Sequence, residues 1–428
     1  MKMRLAVVAA ALLMSSAAAV AAPIYIHAGR LIAIPGKPVR GPSTIVVDNG
    51  RIVAVQDGFV APPAGAAAVD LRARTVLPGL IDSHVHLRSD SGGREGLVEL
   101  VEGSVPKGTL RTAFEARKTL LAGFTTVRNL GDSSGATLAL RDMVAAGMAT
   151  GPRIVDAGRS ISTTGGHMDP RNGLNPDFHA DTGPDNVCDG PESCRRAVRL
   201  QIGRGADVIK IATTGGVNSG TGRAKMAFDD EIKALIDTAH MYGRKVAVHA
   251  HGAEGIRAAL LAGADSIEHG TEMDDEIIRL MAKNGTYYVP TLSTVNGYLE
   301  RLAANPNAYE PKVLEQIRWR IGITGRSLQR AYPAGVKIAF GTDAGVSKHG
   351  RNADEFELMV KHGMPPAEAI KAATVNAADL LGLSREIGTI EAGKSADIIA
   401  VSGDPLQDVR VLKSVGFVMA RGEVVKGP

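Results

Sequence analysis

Short apolar segments alternate with helix-like segments along residues 77–383, and this alternation constrains the fold more than any other feature of the sequence. Eight apolar segments are typical of buried strands, and they end at residues 81–84, 125–128, 153–156, 207–210, 246–249, 266–269, 287–290 and 337–340. Helix-like segments such as 229–242, 253–261 and 366–381 separate them. Eight strands alternating with helices predict an α/β protein built as a closed parallel (β/α)8 barrel, the TIM barrel. The alternative is a doubly wound open sheet, which favours a glycine-rich turn after its first strand, and residues 82–86 (Asp-Ser-His-Val-His) form no such turn.

Both ends of the chain are predicted to form short strands. Near the N-terminus, residues 44–47 and 51–55 flank Asp48-Asn49-Gly50, which is typical of a tight β-hairpin turn. Near the C-terminus, residues 396–401, 411–419 and 423–425 are strand-like, with turn residues between them. All-β ends around one barrel predict a small β-sandwich built from both termini. We therefore divide the chain into a signal peptide (1–21), the sandwich (22–77 and 385–428) and the barrel (78–384).

The composition excludes several classes of protein. Apolar residues make up 44% and charged residues 22% of the 428 residues, so general disorder is excluded. The 49 basic and 45 acidic residues give a net charge of +4, without basic runs or interleaved aromatic residues, so we expect no nucleic-acid partner. No later segment is long and apolar enough to span a membrane. We therefore expect a small-molecule substrate as the partner.

The first 21 residues have the pattern of an export signal. Lys2 and Arg4 precede an apolar segment at residues 5–14, and the small residues 19–21 (Ala-Val-Ala) form a cleavage site. An uncleaved anchor is the alternative, because the chain stays mostly apolar as far as Ile24. The pattern favours cleavage and a periplasmic or secreted protein.

A long polar segment at residues 165–195 follows the third predicted strand and is rich in Gly, Pro, Asp and Asn. On a barrel it would lie over the mouth, as a lid or as a passive surface insertion. It holds the two cysteines of the chain, Cys188 and Cys194, which in an exported protein either form a small disulfide or remain free thiols.

Metal-ligating residue types stand at the ends of five predicted strands. Active sites of such barrels lie where the strands end, and there the chain places His84, His86, Lys210, His249, His269 and Asp343. Because strand residues two apart share a face, His84 and His86 can chelate one ion. A single histidine at a strand end is more often a packed residue than a ligand. Six such residues together predict a metal site for zinc or a similar divalent ion.

Lys210 suggests that the site holds two ions. Two divalent ions about 3.5–4 Å apart need a bridging anion. A buried lysine amine tends to lose its proton, and a neutral amine can add carbon dioxide to become a carbamate. Lys210 lies between Ile209 and Ile211 and is placed for that role.

Several motifs resemble those of the amidohydrolase superfamily. They are residues 78–86 (PGLIDSHVH), Lys210, His249, His269, residues 341–344 (GTDA) and residues 388–397 (GTIEAGKSAD). Residues 246–252 (VAVHAHG) and 266–271 (SIEHGT) resemble the imidazolonepropionase-related branch, which includes prolidase-like and carboxypeptidase-like dipeptidases and exported enzymes that cleave the amide of ochratoxin. Lys210 matches the two-metal members of this branch and counts against imidazolonepropionase itself, which uses one metal and lacks that lysine.

The resemblance implies a ligand set and a mechanism. His84, His86 and Asp343 would hold one zinc ion, His249 and His269 the other, and carboxylated Lys210 would bridge them. Manganese and cobalt also suit such ligands. His251 is the alternative to His249. A hydroxide bridging the ions would attack the amide carbonyl, and Asp343 would move its proton to the leaving amine. His167 and His251 would stabilise the oxyanion or hold the substrate.

The sequence constrains the substrate less. A carboxylate needs a cationic partner, for which Arg88 and Arg223 are candidates, and Tyr288 is a candidate for the pocket wall. We expect an exported binuclear amidohydrolase that cleaves dipeptides or N-acyl amino acids, in the manner of carboxypeptidases and prolidases, including ochratoxin-like N-aroyl-phenylalanine amides. The alternatives are a cyclic amide or lactone hydrolase of the imidazolonepropionase type and a non-enzymatic binding module. Relatives often assemble, so we expect a homo-oligomer.

Overall fold

A computed structural model describes residues 22–172, 175 and 185–428 of the chain. The predicted signal peptide and part of the segment 165–195 lie outside the described residues. Within the described ranges, no helix combines the length and the apolar character that a membrane crossing requires.

Strands and helices alternate through the middle of the chain. The strands are β1 (Ile24–Leu31), β2 (Ser43–Asp48), β3 (Arg51–Asp57), β4 (Ala67–Pro78), β5 (Leu80–Val85), β6 (Phe124–Asn129), β7 (Arg153–Asp156), β8 (Ile209–Ala212), β9 (Val246–Ala250), β10 (Ser266–His269), β11 (Tyr287–Val289), β12 (Ile398–Val401), β13 (Val415–Ala420) and β14 (Glu423–Lys426). The α-helices are α1 (Arg94–Glu102), α2 (Val105–Leu121), α3 (Ala136–Ala145), α4 (Pro191–Gly203), α5 (Asp229–Met241), α6 (Ala253–Ala262), α7 (Asp275–Asn284), α8 (Thr294–Ala304), α9 (Pro311–Ile323), α10 (Arg326–Ala331), α11 (Asp354–Lys361), α12 (Pro366–Lys371) and α13 (Ala377–Leu380). A π-helical turn (Ala372–Asn376) joins α12 to α13, and a 3₁₀ helix (Val409–Lys413) precedes β13.

Strands from both ends of the chain share one mixed sheet of seven strands, in the order β14-β13-β12-β4-β1-β2-β3. The two ends meet where β12 pairs antiparallel with β4, with Ile398 opposite Pro78. The sheet curls back on itself, because the amide of Ile52 in β3 donates to the carbonyl of Lys394 just before β12 at 2.9 Å. The sequence predicted a sandwich of two sheets, whereas the structure has one curled sheet. The twelve-residue strand β4 pairs with β1 on one side and with β12 on the other, and so joins the N-terminal and C-terminal strands in a single sheet.

The predicted strand at residues 411–419 is shorter than expected. Its first residues belong to the 3₁₀ helix, which begins after Asp408, whose side chain accepts a hydrogen bond from the amide of Arg410. The hairpin of β2 and β3 forms as predicted, and its turn residues Asn49 and Gly50 both have positive φ.

Seven strands in the middle of the chain are all parallel and form two sheets. One has the order β5-β6-β7 and the other β11-β10-β9-β8. Backbone hydrogen bonds outside the strand ladders link the two sheets. On one side Asp207 donates to Asp156 at 2.8 Å and Ile161 donates to Lys210 at 2.8 Å. On the other side the segment predicted as the eighth strand, residues 337–340, forms an isolated bridge from Ile338 to Tyr288 and accepts from Ser83 of β5 through Phe340 at 2.8 Å. Within the described residues these contacts do not form a continuous ladder, so the two sheets remain separate.

Candidate active site at the strand ends

The carboxyl ends of the parallel strands bring the predicted ligands together. His84 lies in β5, Lys210 in β8, His249 in β9 and His269 at the end of β10, whereas Asp343 follows the isolated bridge at Ile338. Oδ1 of Asp343 lies 3.4 Å from Nε2 of His84 and 3.2 Å from Nε2 of His86. The ring of His269 lies 5.1 Å from that of His84 and 4.6 Å from that of His249, between centroids. All six predicted ligands therefore belong to one cluster.

Among the described residues, two groups of three side chains have the geometry to hold an ion. His84, His269 and Asp343 form one group, and His249, His251 and His269 form the other. Within each group the ligand atoms lie within 4.8 Å of one another, and every member is buried. Because the groups share His269, they are adjacent.

Burial keeps the imidazoles of this cluster uncharged. It lowers the pKa of His249, His251 and His269 well below the usual value, and neighbouring histidines add to the effect. It also lowers the pKa of His84 to about 4. Neutral imidazole is the form that binds metal ions, so these side chains are ready to act as ligands.

A buried carboxylate orients His84. Nδ1 of His84 donates to Oε2 of Glu268 at 2.9 Å, and the other oxygen of Glu268 accepts from Nη2 of Arg128 at 2.7 Å. Burial raises the pKa of Glu268, but the charge of Arg128 and the bond from His84 outweigh it and lower that pKa to about 2. The ionised Glu268 fixes the proton on Nδ1 of His84 and leaves Nε2 free towards Asp343.

Lys210 and Asp343 each have a buried polar atom of the site without a hydrogen-bond partner among the described residues. The side chain of Lys210 is 1% exposed, and the unpartnered atom is its Nζ. Burial lowers the pKa of Lys210 to about 8, so a fraction of the amine is neutral near physiological pH. An unpartnered amine among four imidazoles and a carboxylate fits a lysine that carries a further group in the working protein.

The segment that carries Asp343 is held from below by Asp82, which the sequence analysis did not single out. Oδ2 of Asp82 accepts from the hydroxyl of Thr342 at 2.6 Å and from Nδ2 of Asn352 at 2.7 Å. The amide of Asp343 donates to the carbonyl of His84 at 2.7 Å. Burial raises the pKa of Asp343, but the neighbouring His84, His86 and Lys210 outweigh it and lower that pKa to about 2, so Asp343 is ionised.

His167 and His251, the predicted oxyanion candidates, both lie against the cluster. The ring of His167 stacks on that of His249 with centroids 4.1 Å apart, and its Nδ1 hydrogen-bonds with Oγ of Ser219 at 2.7 Å. Nδ1 of His251 hydrogen-bonds with Oγ1 of Thr271 at 2.8 Å. Nε2 of His249 donates to the carbonyl of Gly215 at 3.1 Å, which leaves Nδ1 of His249 free for the cluster.

The predicted substrate-binding residues are placed less uniformly. Arg88 donates to Oγ of Ser133 at 3.1 Å and lines a cavity of about 300 Å³ beside His86. Arg223 is bound to Glu272 at 2.6 Å and lies over the ring of Trp319, in a separate surface cavity. Tyr288 is buried, and its hydroxyl donates to the backbone carbonyl of His269 at 3.0 Å. The structure therefore brings neither Arg223 nor Tyr288 to the cavity at the ligands.

Other side chains, which the sequence analysis missed, line that cavity. With His167, His249, His251, His269 and Asp343, the wall is formed by Val217, Asn218, Thr294, Tyr298 and Arg320. Tyr298 and Arg320 belong to α8 and α9, which follow the seventh strand of the barrel region. The sequence shows Arg320 only as an arginine in a helix-like segment after β11. An exposed arginine would give the same pattern, so the sequence did not identify Arg320 as a residue of the site.

Cys188 and Cys194 form a disulfide at the start of α4, which settles the alternative that the sequence left open. Both residues are buried, and the bond closes the end of the segment 165–195.

Comparison with known proteins gives a consistent picture. A model of the amidohydrolase family matches residues 75–425. Ochratoxinase of Aspergillus niger is 33% identical over 435 residues, covering 94% of this chain and 86% of that protein. A crystal structure of a Xaa-Pro dipeptidase with methionine bound in its active site is 41% identical, with a TM-score of 0.89 over 95% of this chain and 100% of that one. Imidazolonepropionase of Fusobacterium nucleatum is 26% identical over 375 residues, covering 83% of each chain.

Imidazoles, a carboxylate and a buried lysine at the carboxyl ends of parallel strands define a class of hydrolases that are typically metal-dependent. The chain belongs to the amidohydrolase family and is a hydrolase that acts on amide C–N bonds. This confirms the predicted superfamily and its prolidase-like and ochratoxinase-like relatives. The family and its solved structures also imply a (β/α)8 barrel with an additional β-domain.

Proposed function

We propose that this protein is an exported binuclear amidohydrolase that cleaves the amide bond of dipeptides or N-acyl amino acids. The observation that carries the proposal is the unpartnered, buried Nζ of Lys210, which is near enough to His84, His269 and Asp343 to shift their pKa values. The relatives support the substrate class, since one is a Xaa-Pro dipeptidase with an amino acid in its active site and another is an ochratoxinase.

The residues present fit two divalent ions, with zinc as our expectation. His84, His86 and Asp343 would hold one ion, His249 and His269 the other, and Lys210 would bridge them as a carbamate. Bound ions would polarise the amide carbonyl and lower the pKa of a water molecule. The lowered pKa of Lys210, about 8, makes neutral amine available for addition of carbon dioxide.

Side chains of this chain would then position the substrate and move the proton. Asp343 lies beside His84 and His86 and lines the cavity, where its carboxylate can accept a proton from the attacking water and return it to the leaving nitrogen. His167 and His251 face the same cavity and can donate to the carbonyl oxygen as its negative charge develops.

The closed barrel, the export and the assembly of this protein are predicted from the sequence. We propose that the two parallel sheets are parts of one closed barrel, residues 78–384, and that residues 1–21 direct export. We also propose a homo-oligomer, supported by exposed apolar side chains on α1 and α2, among them Val101 (82%), Leu110 (75%) and Phe114 (61%). Light scattering of the purified protein tests the assembly.

A panel of substrates tests the function. We expect the metal-loaded protein to hydrolyse Xaa-Pro dipeptides and N-acyl amino acids, and dialysis against a chelator to abolish the activity. Elemental analysis should find two divalent ions per chain. Hydrolysis of a cyclic amide or lactone alone would instead support the imidazolonepropionase-type alternative. A chain without bound metal and without activity on any member of the panel would contradict the proposal and favour a binding module.

A further inference from the structure

Arg320 is a buried cation without an acidic partner. It lies on α9 and is 3% exposed, and no carboxylate lies within ion-pair distance of it among the described residues. Within the described part of the chain, its Nη2 donates to the backbone carbonyls of Pro290, at 3.2 Å, and Thr291, at 3.4 Å. Buried charges in proteins are normally paired, because an isolated charge loses its hydration without compensation. The guanidinium therefore lacks the anion that would balance it.

The position of Arg320 shows where that anion would come from. Arg320 lines the same cavity as His251, His269 and Asp343. Thr291 connects it to the cluster, since its carbonyl accepts from Arg320 and its hydroxyl hydrogen-bonds with Nδ1 of His269 at 2.7 Å. The guanidinium thus lies one residue away from a candidate metal ligand, on a wall of the site rather than on the outer surface.

We propose that Arg320 binds the carboxylate of the substrate and selects amides whose leaving group is an amino acid. This inference rests on the proposed amide-hydrolase function. A planar guanidinium can bind a carboxylate through two parallel hydrogen bonds, which fixes its orientation as well as its charge. Asp343 lines the same cavity but forms no ion pair with Arg320 among the described residues, and its Oδ1 lies instead 3.4 Å from Nε2 of His84 and 3.2 Å from Nε2 of His86.

Other arginines near the site are already engaged. Arg223 is paired with Glu272 at 2.6 Å, and Arg159 is paired with Asp185 at 3.1 Å. Arg88 is bound to the hydroxyl of Ser133 in the neighbouring cavity. Among the arginines that the structure describes around the cluster, Arg320 combines burial with a missing counter-charge.

Two cavities adjoin the cluster. Arg320 lines the smaller one, of about 30 Å³, together with His251, His269 and Asp343. The other, of about 300 Å³, lies beside His86 and has room for the acyl part of a substrate. His86 lines one cavity and Asp343 the other, and Nε2 of His86 lies 3.2 Å from Oδ1 of Asp343, so the amide would lie near this contact.

Two substrates that differ only in the carboxylate test the proposal: alanyl-proline and alanyl-pyrrolidine. We expect the wild-type protein to prefer alanyl-proline, and Arg320→Gln to raise KM for alanyl-proline by about 10- to 100-fold while leaving alanyl-pyrrolidine unchanged. Arg320→Lys should retain part of the preference, because it keeps the charge but not the paired hydrogen bonds. Arg318→Gln is the matched control, since Arg318 is exposed on the same helix.

Binding provides a second measurement that does not depend on turnover. Calorimetry should show that L-proline binds the metal-loaded wild-type protein more tightly than pyrrolidine does, and that Arg320→Gln removes this difference. Equal losses on both substrates, or equal turnover of both by the wild-type protein, would overturn the role of Arg320 while leaving the amide hydrolase intact. Failure of the wild-type protein to hydrolyse either substrate would count against the proposed function instead, and L-proline binding would then decide the role of Arg320. If Arg320→Gln fails to fold, Arg320→Lys and the wild-type comparison still decide the question.

Discussion

Each residue of the cluster owes its protonation to its surroundings. His249 and His269 are neutral because they are buried among other imidazoles, whereas Asp343 is ionised because His84 and His86 face it. The same burial lowers the pKa of Lys210 to about 8 and leaves its amine without a partner. Burial thus lowers the pKa values of the imidazoles and of the amine, whereas the neighbouring side chains keep the carboxylate ionised against the effect of burial.

Lys210 provides the sharpest test at the scale of one residue. Loss of a residue that hydrogen-bonds to a metal ligand typically lowers activity by about 10- to 100-fold. Lys210→Ala should lower kcat by more than this, because it would remove a ligand that bridges the two ions. Added acetate or propionate should restore part of the activity by taking the place of the carbamate. Activity assays with and without the added acid, together with elemental analysis, measure both effects.

The control for this prediction is Lys233→Ala. Lys233 is exposed on α5 and paired with Asp237, so its loss should change neither activity nor metal content. In the wild-type protein, carbon-13 bicarbonate should give a carbamate signal by NMR that Lys210→Ala lacks. Full activity of Lys210→Ala without added acid would rule out the bridging role.

Among the elements, the loop after β8 positions His167. Gly216 lies in this loop, and a Cβ at that position would stand 2.2 Å from Nδ1 and Cε1 of the His167 ring. Gly216→Ala should therefore push the imidazole away from His249. If His167 donates to the developing oxyanion, kcat should fall by about 100-fold with little change in the unfolding temperature.

Gly203→Ala is the matched control for the loop variant, because a Cβ at this position in α4 meets no atom within 4 Å. It should leave both kcat and the unfolding temperature nearly unchanged. Normal turnover in Gly216→Ala would show that His167 is a structural residue, and an equal loss in Gly203→Ala would show that the effect is unspecific.

The sequence pattern predicts the positions of strand ends better than it predicts contacts between distant segments. The strand-end residues such as His84 and His269 were predictable, because apolar runs and the residues that end them are adjacent in sequence. Hydrogen bonds between segments that are far apart in the sequence were not predictable, because no pattern in either segment indicates its partner. The predicted helix at residues 366–381 is interrupted by a π-helical turn, where Ala372 accepts from the amide of Phe340 and Asn376 donates to Ile338.

The same reasoning explains which site residues escaped prediction. Glu268, Arg128 and Asp82 act through contacts between strands far apart in sequence. Arg320 reaches the cavity from a helix whose other arginine, Arg318, faces solvent. Tyr288 was chosen from strand alternation alone, which cannot show that its hydroxyl is directed to the carbonyl of His269.

At the scale of the whole molecule, the two ends of the chain depend on each other. β4 pairs with β12, and one continuous core includes Leu80 and Phe124 of the barrel region with Val415 and Val418 of β13. The N-terminal and C-terminal strands thus pack against the region that carries the site, and the family match, residues 75–425, includes β12, β13 and part of β4.

Export and the disulfide can be tested together on the whole chain. If residues 1–21 are a signal peptide, expression of the full sequence in a Gram-negative bacterium should give a periplasmic protein that begins at residue 22 and has no free thiol. Cytoplasmic expression of residues 22–428 should give the reduced form. Since the bond closes a short loop, the reduced form should lose about 2 kcal/mol in free energy of unfolding. Mass spectrometry, thiol titration and denaturant unfolding measure these outcomes.

The double variant Cys188→Ala/Cys194→Ala is the control for the disulfide, and its free energy of unfolding should be the same from both compartments. Retention of residues 1–21 in the periplasmic protein would contradict cleavage.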